Sequence, residues 1–270
     1  MPRLGIIAGG GNLPKNLIAA CLRDKRDFFV LGVRGHADKD IMQGVPHAWG
    51  SLGATNSNIQ TLKDNGVDTV VMAGAIRRPS LREIKPDWRT IQVVAKLGSR
   101  AFGDDELLRA VAAELEKDGL KVVGAHEIDP TLITPPGVLG KIKPSAEHLI
   151  DIAAGVKIAK TLGALDTGQG VVVQQGIVLG VEAVEGTDAL IARCKTLRRK
   201  GGGGVLVKSC KPQQDRRVDL PAIGQRTVRN AFEAGLEGIA IEAGASIILD
   251  RAATVDAADR LGLFVTGFEV

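Results

Sequence analysis

The sequence predicts an α/β protein in which an N-terminal Rossmann-like parallel-sheet domain is followed by a second α/β domain. Three observations carry that expectation. Short apolar runs alternate with amphipathic stretches from the first residues onward, the pattern of successive β-α-β units. A glycine turn, Gly9-Gly10-Gly11, follows the first apolar run directly. Prolines and glycines then crowd between Asp129 and Pro144, where Pro130, Pro135, Pro136, Gly137, Gly140 and Pro144 interrupt regular structure. The expected division is therefore a nucleotide-binding domain over residues 1–130, a linker over 131–144 and a catalytic α/β domain over 145–270.

Each element has its own signal. Leu4 to Ala8 reads as a buried strand, Leu13 to Cys21 as an amphipathic helix, and Phe28 to Val33 as a second strand. The same alternation predicts a helix over Ile59 to Asn65, a strand over Thr69 to Ala73, a helix over Asp104 to Asp118 and a strand over Lys121 to Gly124. Beyond the linker, Ala146 to Leu162 reads as helix. Gly170 to Gln174, Ile177 to Val184, Gly204 to Lys208, Gly238 to Glu242 and Ser246 to Leu249 read as strands separated by glycine turns and helices. The first two of these form a hairpin with its turn at Gln174 to Gly176.

Composition narrows the function classes. At 44% hydrophobic and 24% charged residues, the 270-residue chain is globular rather than disordered or fibrous. Cys21, Cys194 and Cys210 are odd in number and widely spaced, so neither a disulfide framework nor a zinc cluster is expected, and a reducing compartment fits best. Met1 to Ala8 runs straight into a strand without the regions of a signal peptide, and no apolar run nears the ~20 residues that span a bilayer. The expectation is a cytoplasmic protein whose relationship to a membrane is peripheral. A net charge of +4 favours anionic partners, but 3% aromatic content with no tyrosine argues against nucleic acid, because there is little for bases to stack on. A phosphate-bearing small molecule accounts for the charge; the oligomeric state, including a homo-oligomer, stays open.

Two segments point to chemistry. Ile6 to Pro14 is a strand, a glycine turn and a helix start, which exposes backbone N–H groups and a positive helix end to an anion at Gly10, Gly11, Asn12 and Leu13. It lacks the G-x-G-x-x-G register, and no acidic residue closes the second strand, so a nicotinamide cofactor is disfavoured. The turn Met72 to Pro79, with Gly74, closes another parallel strand at the same sheet edge, so both turns can face one nucleotide. The second segment, Val207 to Gly224, places Asp215 and Asp219, four basic side chains and two prolines directly after an apolar strand. That arrangement reads as charged side chains at a strand mouth, or as a solvated charged loop.

With Gly103 to Leu108, Gly124 to Glu127, Asp166 to Gly170 and Glu182 to Asp188 added to Gly9 to Pro14, the chain resembles the UDP-2,3-diacylglucosamine pyrophosphatases of lipid A biosynthesis over essentially its whole length. The resemblance is to the two-domain form and not to the metallophosphoesterase form. It implies hydrolysis of a UDP-linked diacylated glucosamine to UMP and the acylated sugar 1-phosphate (lipid X), with water attacking the α-phosphorus and a divalent cation, Mg2+, assisting. It also implies that the product keeps its acyl chains and that the enzyme sits at the inner face of the inner membrane. By the same resemblance Asp219 falls at the essential aspartate, binding metal or orienting water.

The surrounding residues suit that chemistry. Lys208, Lys211 and Arg217 supply positive charge for a diphosphate, with Lys211 beside the aspartates. Gln169, between two glycines, and His126, at a strand end, have hydrogen-bonding groups for phosphate, sugar or nucleotide. Glu182, Glu185 and Asp188 read either as further metal ligands or as residues of a helix start, with Thr187 as its N-cap. Asp104 and Asp105 read as helix-capping residues. Two other functions compete: a nucleotide-dependent oxidoreductase, against which the glycine spacing argues, and a non-catalytic nucleotide-sugar or lipid-binding protein.

Overall fold

A computed structural model describes residues 2–76, 86–97 and 104–270 of the chain. Arg77, Arg78 and Pro79 of the second glycine turn, Gly103, and the side chains of Asp104 and Asp105 lie outside the described residues. The chain forms two compact units, Met1–Pro130 with Asp215–Asp219, and Thr131–Gln214 with Leu220–Val270.

The first unit is an all-parallel sheet with helices between its strands. Its elements are β1 (Arg3–Ala8), α1 (Asn12–Arg23), β2 (Phe28–Val33), β3 (His47–Gly50), α2 (Thr55–Asp64), β4 (Val67–Ala73), α3 (Trp88–Leu97), α4 (Asp104–Lys117), β5 (Lys121–Val123) and α5 (Ala125–Ile128). The strand order is β3-β2-β1-β4-β5, so the winding direction reverses between β1 and β4. Such strands are covered on both faces and therefore read as unbroken apolar runs; every residue of β2 is buried. Helix α1 turns Leu17, Ile18 and Cys21 inward, the face its periodicity predicts. The four-residue β3 and the helix α3 were not expected, and α2 starts at Thr55, ahead of the Ile59 at which its apolar pattern begins. Polar residues of the first turn carry no period, which is why the early start was hidden.

The second unit is a six-stranded mixed sheet. It contains β6 (Gly137–Val138), α6 (Ala146–Ala164), β7 (Gly170–Gln174), β8 (Ile177–Val181), α7 (Gly186–Cys194), β9 (Val205–Lys208), β10 (Ala222–Ile223), α8 (Gln225–Glu233), β11 (Gly238–Glu242), β12 (Ile247–Ile248), α9 (Arg251–Leu261) and β13 (Phe264–Phe268). The order is β6-β13-β11-β9-β7-β8; β13, β11 and β9 are parallel, while β7, β8 and β6 run against their neighbours. Alternation along the strands sends Leu206, Ile239, Ile241 and Val265 into the larger core shared with α7, α8 and α9. Val205, Val207, Ala240 and Phe264 face the other way, onto Ile152 of α6. The β7–β8 turn holds Gln175 at φ 54° and Gly176 at φ 73°, the pair of left-handed residues a two-residue hairpin needs.

Four expectations change. The Pro/Gly-rich stretch read as a linker is bonded into the second sheet: β6 pairs with β13, and the Leu139 N–H donates to the Val265 carbonyl at 3.0 Å. The strand expected over Ile177 to Val184 ends at Val181, and the one over Ser246 to Leu249 is only the two residues of β12, paired with β10. Most consequential, Asp215–Asp219 belongs to the first unit, so Asp219 is not supplied by the second domain.

Ile239 sits on an interior strand with 0% of its surface exposed. Ile239→Ala is expected to lower the unfolding free energy by roughly 2–5 kcal/mol, read from the urea midpoint with an unchanged m-value.

Candidate active site

At the carboxyl edge of the first sheet, the loops after β1 and β4 meet at the point where strand order reverses, the crevice in which open α/β sheets take ligands. The Gly10 N–H donates to the Ala75 carbonyl, and the Ala75 N–H to the Gly10 carbonyl, both at 2.9 Å. This bridge requires backbone to pass close to backbone: a Cβ on Gly9 would come within 2.6 Å of the Ala75 carbonyl oxygen, and one on Gly74 within 2.6 Å of that of Gly10. Gly11, at φ 90°, is the N-cap of α1 and offers no side-chain cap, so Asn12 and Leu13 open the helix with its positive end uncapped by a side chain. Gly10, Gly11, Asn12, Leu13 and Gly74 thus lie together at this edge of the sheet.

His126 lies in the short helix α5 rather than at a strand end. Its Nδ1 is buried and has no hydrogen-bond partner among the described residues. The segment carrying Asp219 reaches the same strand terminus: a Cβ on Gly124, which follows β5, would stand 3.3 Å from the Arg216 carbonyl oxygen. Val218 packs against the core that holds Val70, Ala112 and Leu115. Arg217 forks onto Asp215, with Nε to Oδ1 at 3.0 Å and Nη2 to Oδ2 at 2.7 Å, while Nη1 reaches Oε1 of Glu116 at 2.6 Å. Asp215 and Glu116 each raise the Arg217 pKa, and the guanidinium holds the Asp215 carboxyl below its ordinary range. Arg217, expected to hold substrate phosphate, is occupied by two carboxylates.

The carboxyl edge of the second sheet collects the other candidates. Lys208 ends β9 with only 4% of its surface exposed. Its Nζ donates to Thr187 Oγ1 at 2.8 Å and to the Ala222 carbonyl at 3.2 Å, and Thr187 Oγ1 donates onward to Glu182 Oε1 at 2.7 Å. Thr187 therefore relays between two charged side chains; the N-cap of α7 is Glu185, contrary to expectation. Glu182 is buried, and its Oε2 has no partner among the described residues. Gly168 and Gly170 leave the room it needs, since a Cβ on Gly170 would stand 2.6 Å from Oε2. Between them, Gln169 accepts the Ser209 N–H on its carbonyl at 3.0 Å and keeps a buried, unpartnered side-chain Oε1. Lys211 Nζ pairs with Asp166 Oδ1 at 2.7 Å.

Asp188 stands apart from this set. Its Oδ1 accepts from Asn230 at 2.8 Å, and its Oδ2 pairs with Arg226 at 2.8 Å, which ties α7 to α8. Among the described residues no group of three or more His, Cys, Asp or Glu side chains is arranged to hold a metal ion, so Asp219, Glu182 and Asp188 do not form one ligand set. Sequence reasoning missed Glu242, Lys160 and Asp166. Glu242 had a signal equal to that of Lys208, a charged residue closing an otherwise apolar strand. A polar cleft at the opposite edge of the second sheet, lined by Ser145, His148, Asp151, Gln175, Gly203 and Glu237, holds none of the candidates.

Residues 3–132 match the LpxI N-terminal domain family and residues 135–266 the LpxI C-terminal domain family. The UDP-2,3-diacylglucosamine pyrophosphatase LpxI of Caulobacter vibrioides is 43% identical over 276 residues, spanning 100% of this chain and 98% of that protein. Among solved structures, UDP-glucose 4-epimerase of Thermus thermophilus in complex with NAD is 14% identical at a TM-score of 0.35, over 99% of this chain and 86% of its own. N5-carboxyaminoimidazole synthase of Aspergillus clavatus is 14% identical at a TM-score of 0.24, over 73% of this chain and 44% of its own. Likeness at these TM-scores bears on neither the site nor the activity.

The Asp215–Arg217 pair generates a pH dependence. The folded-state pKa of Asp215 is depressed from 3.8, so the pair stabilises the fold above that value and its contribution is lost as pH falls through the folded pKa. Arg217→Met is expected to lower the thermal midpoint most at neutral pH, with the difference from wild type narrowing as acid takes the solution below 3.8.

Proposed function

This chain belongs to the LpxI family, and on that premise we propose that it hydrolyses the pyrophosphate bond of UDP-2,3-diacylglucosamine, releasing UMP and 2,3-diacylglucosamine 1-phosphate in lipid A biosynthesis. The observation that carries the reading is identity along the whole chain, through both domains, to a pyrophosphatase of that name. The enzyme is a hydrolase acting on a phosphoanhydride.

The residues support a division of work. The N–H groups of Asn12 and Leu13, at the positive start of α1 that follows the Gly9–Gly11 turn and lies beside the Gly10–Ala75 bridge next to Gly74, take the nucleotide phosphate. His126 Nδ1, buried without a partner, takes a hydrogen bond from or gives one to the nucleotide. Asp219 orients a water for in-line attack on the α-phosphorus: the new P–O bond forms to the water oxygen, and the bond from that phosphorus to the bridging oxygen breaks. The bridging oxygen leaves with the sugar 1-phosphate, and the proton of the attacking water passes to the Asp219 carboxylate and from there to solvent. Lys208 and Lys211 balance diphosphate charge, and Gln169 offers an unpartnered acceptor to a hydroxyl of the sugar.

A divalent cation such as Mg2+ suits this donor set in a limited way. Mg2+ keeps most of its waters and takes one or two carboxylates plus substrate phosphate oxygens, so the lack of a three-carboxylate cluster among the described residues is compatible with it. Either Asp219, in the first unit, or Glu182, in the second, whose Oε2 is a buried oxygen without a partner, would hold it. When bound, the cation neutralises charge building on the phosphate oxygens.

No helix among the described residues is long and apolar enough to cross a membrane. We place the enzyme in the cytoplasm, peripheral to the inner membrane, because substrate and product both carry acyl chains.

Asp219→Ala is expected to lose UMP release by at least about 100-fold while keeping the wild-type thermal midpoint. Turnover in water labelled with heavy oxygen puts the label in UMP; label in the sugar phosphate instead would place the attack on the other phosphorus. Flotation with anionic vesicles is expected to carry part of the protein upward, and protein left wholly at the bottom of the gradient would refute the peripheral assignment.

A further inference from the structure

We propose that Glu242 and Lys160 are positioning residues, an ion pair that clamps both backbone groups of Cys210 and thereby fixes where Lys211 begins. The inference rests on the reading above only in giving Lys211 a part in hydrolysis. Glu242 ends β11 with 5% of its surface exposed, and its carboxylate is filled with donors. Its Oε2 accepts from Ser209 Oγ at 2.6 Å, from the Cys210 N–H at 2.8 Å and from Lys160 Nζ at 2.8 Å; Oε1 accepts from the same Nζ at 3.0 Å. Lys160 Nζ also donates to the Cys210 carbonyl at 3.1 Å. One residue's N–H and C=O are thus held by opposite members of a single ion pair.

The chain continues directly into the candidate site. The Lys211 N–H donates to Gln214 Oε1 at 3.0 Å, and the Lys211 ammonium meets Asp166 at 2.7 Å. An ion pair with one buried and one half-buried member is a weak source of stability, and apolar side chains of similar volume commonly replace a buried pair without loss. Such a replacement fills the space but holds no peptide. What this pair supplies beyond an apolar pair is direction: charge-assisted hydrogen bonds that set the orientation of the Cys210 peptide, and with it the root of the Lys211 side chain.

The test uses the full chain with Lys160→Met and Glu242→Leu combined, which removes both charges together, and Glu242→Gln, which keeps the shape. Three quantities are read: thermal midpoint, hydrogen exchange of the Ser209 to Gln214 amides, and kcat and KM on UDP-2,3-diacylglucosamine. The double variant is expected to keep a midpoint near wild type, to exchange the Cys210 amide about tenfold faster or more, and to lose kcat by about tenfold with KM changed less than about twofold. Glu242→Gln is expected to show the same kcat loss to a smaller degree, and it carries the test if the double variant does not fold. Unchanged amide exchange overturns the clamp. Wild-type kcat in a folded variant with faster exchange overturns the positioning role. If the wild-type protein does not turn over this substrate, the functional reading fails, while amide exchange still decides the clamp.

Discussion

The forked contact of Arg217 with Asp215, extended to Glu116 of α4, is the interaction on which the placement of the proposed catalytic aspartate depends. Residues before and after Asp215–Asp219 belong to the second unit, and this short piece belongs to the first. Val218 adds apolar burial to the ionic contact, against the core between α4 and the sheet. Asp219 is therefore held by the unit whose glycine turns are proposed to take the nucleotide phosphate. Although residues 135–266 match the C-terminal domain family in sequence, part of that stretch packs with the other unit.

Buried charge in the second unit follows one rule: each ionised group is surrounded until little of its capacity is left. Glu242 is filled by three donor groups, Lys208 by a hydroxyl and a carbonyl, and Asp151 by the N–H groups of Gln175 and Gly176 at 3.0 and 2.6 Å. Burying a charge without such partners costs several kcal/mol, about as much as a domain's whole margin of stability. Against that background the unpartnered oxygens of Glu182 and Gln169 stand out, because they break a rule their neighbours keep. Groups left unsatisfied beside satisfied ones are where a ligand's own hydrogen bonds or charge are most useful.

Much of the fold was legible because parallel strands buried on both faces leave continuous apolar runs, as in Phe28 to Val33 and Val205 to Lys208. The Gln175–Gly176 turn was legible because its residues tolerate the left-handed backbone. What stayed hidden depends on partners distant in sequence. Nothing local says that Gly137 and Val138 pair with β13, since prolines and glycines beside them imply a break, yet an edge strand of two residues tolerates both. Nor does the charged run Asp215 to Asp219 announce that Val218 finds a core more than 100 positions back at Leu115. The glycine turns of the first sheet were found because backbone approach leaves a glycine signature. Lys160 was missed because its chemistry exists only once α6 lies against β11.

The chain passes between its units at 130/131, at 214/215 and again at 219/220. Neither unit is a single contiguous stretch, so the molecule resists being cut and rejoined. A piece ending at Pro130 would lack the valine and the guanidinium that cover the flank of α4. The insert and the helix surface that receives it thus act as one folding element of this chain, although nearly a hundred residues separate them.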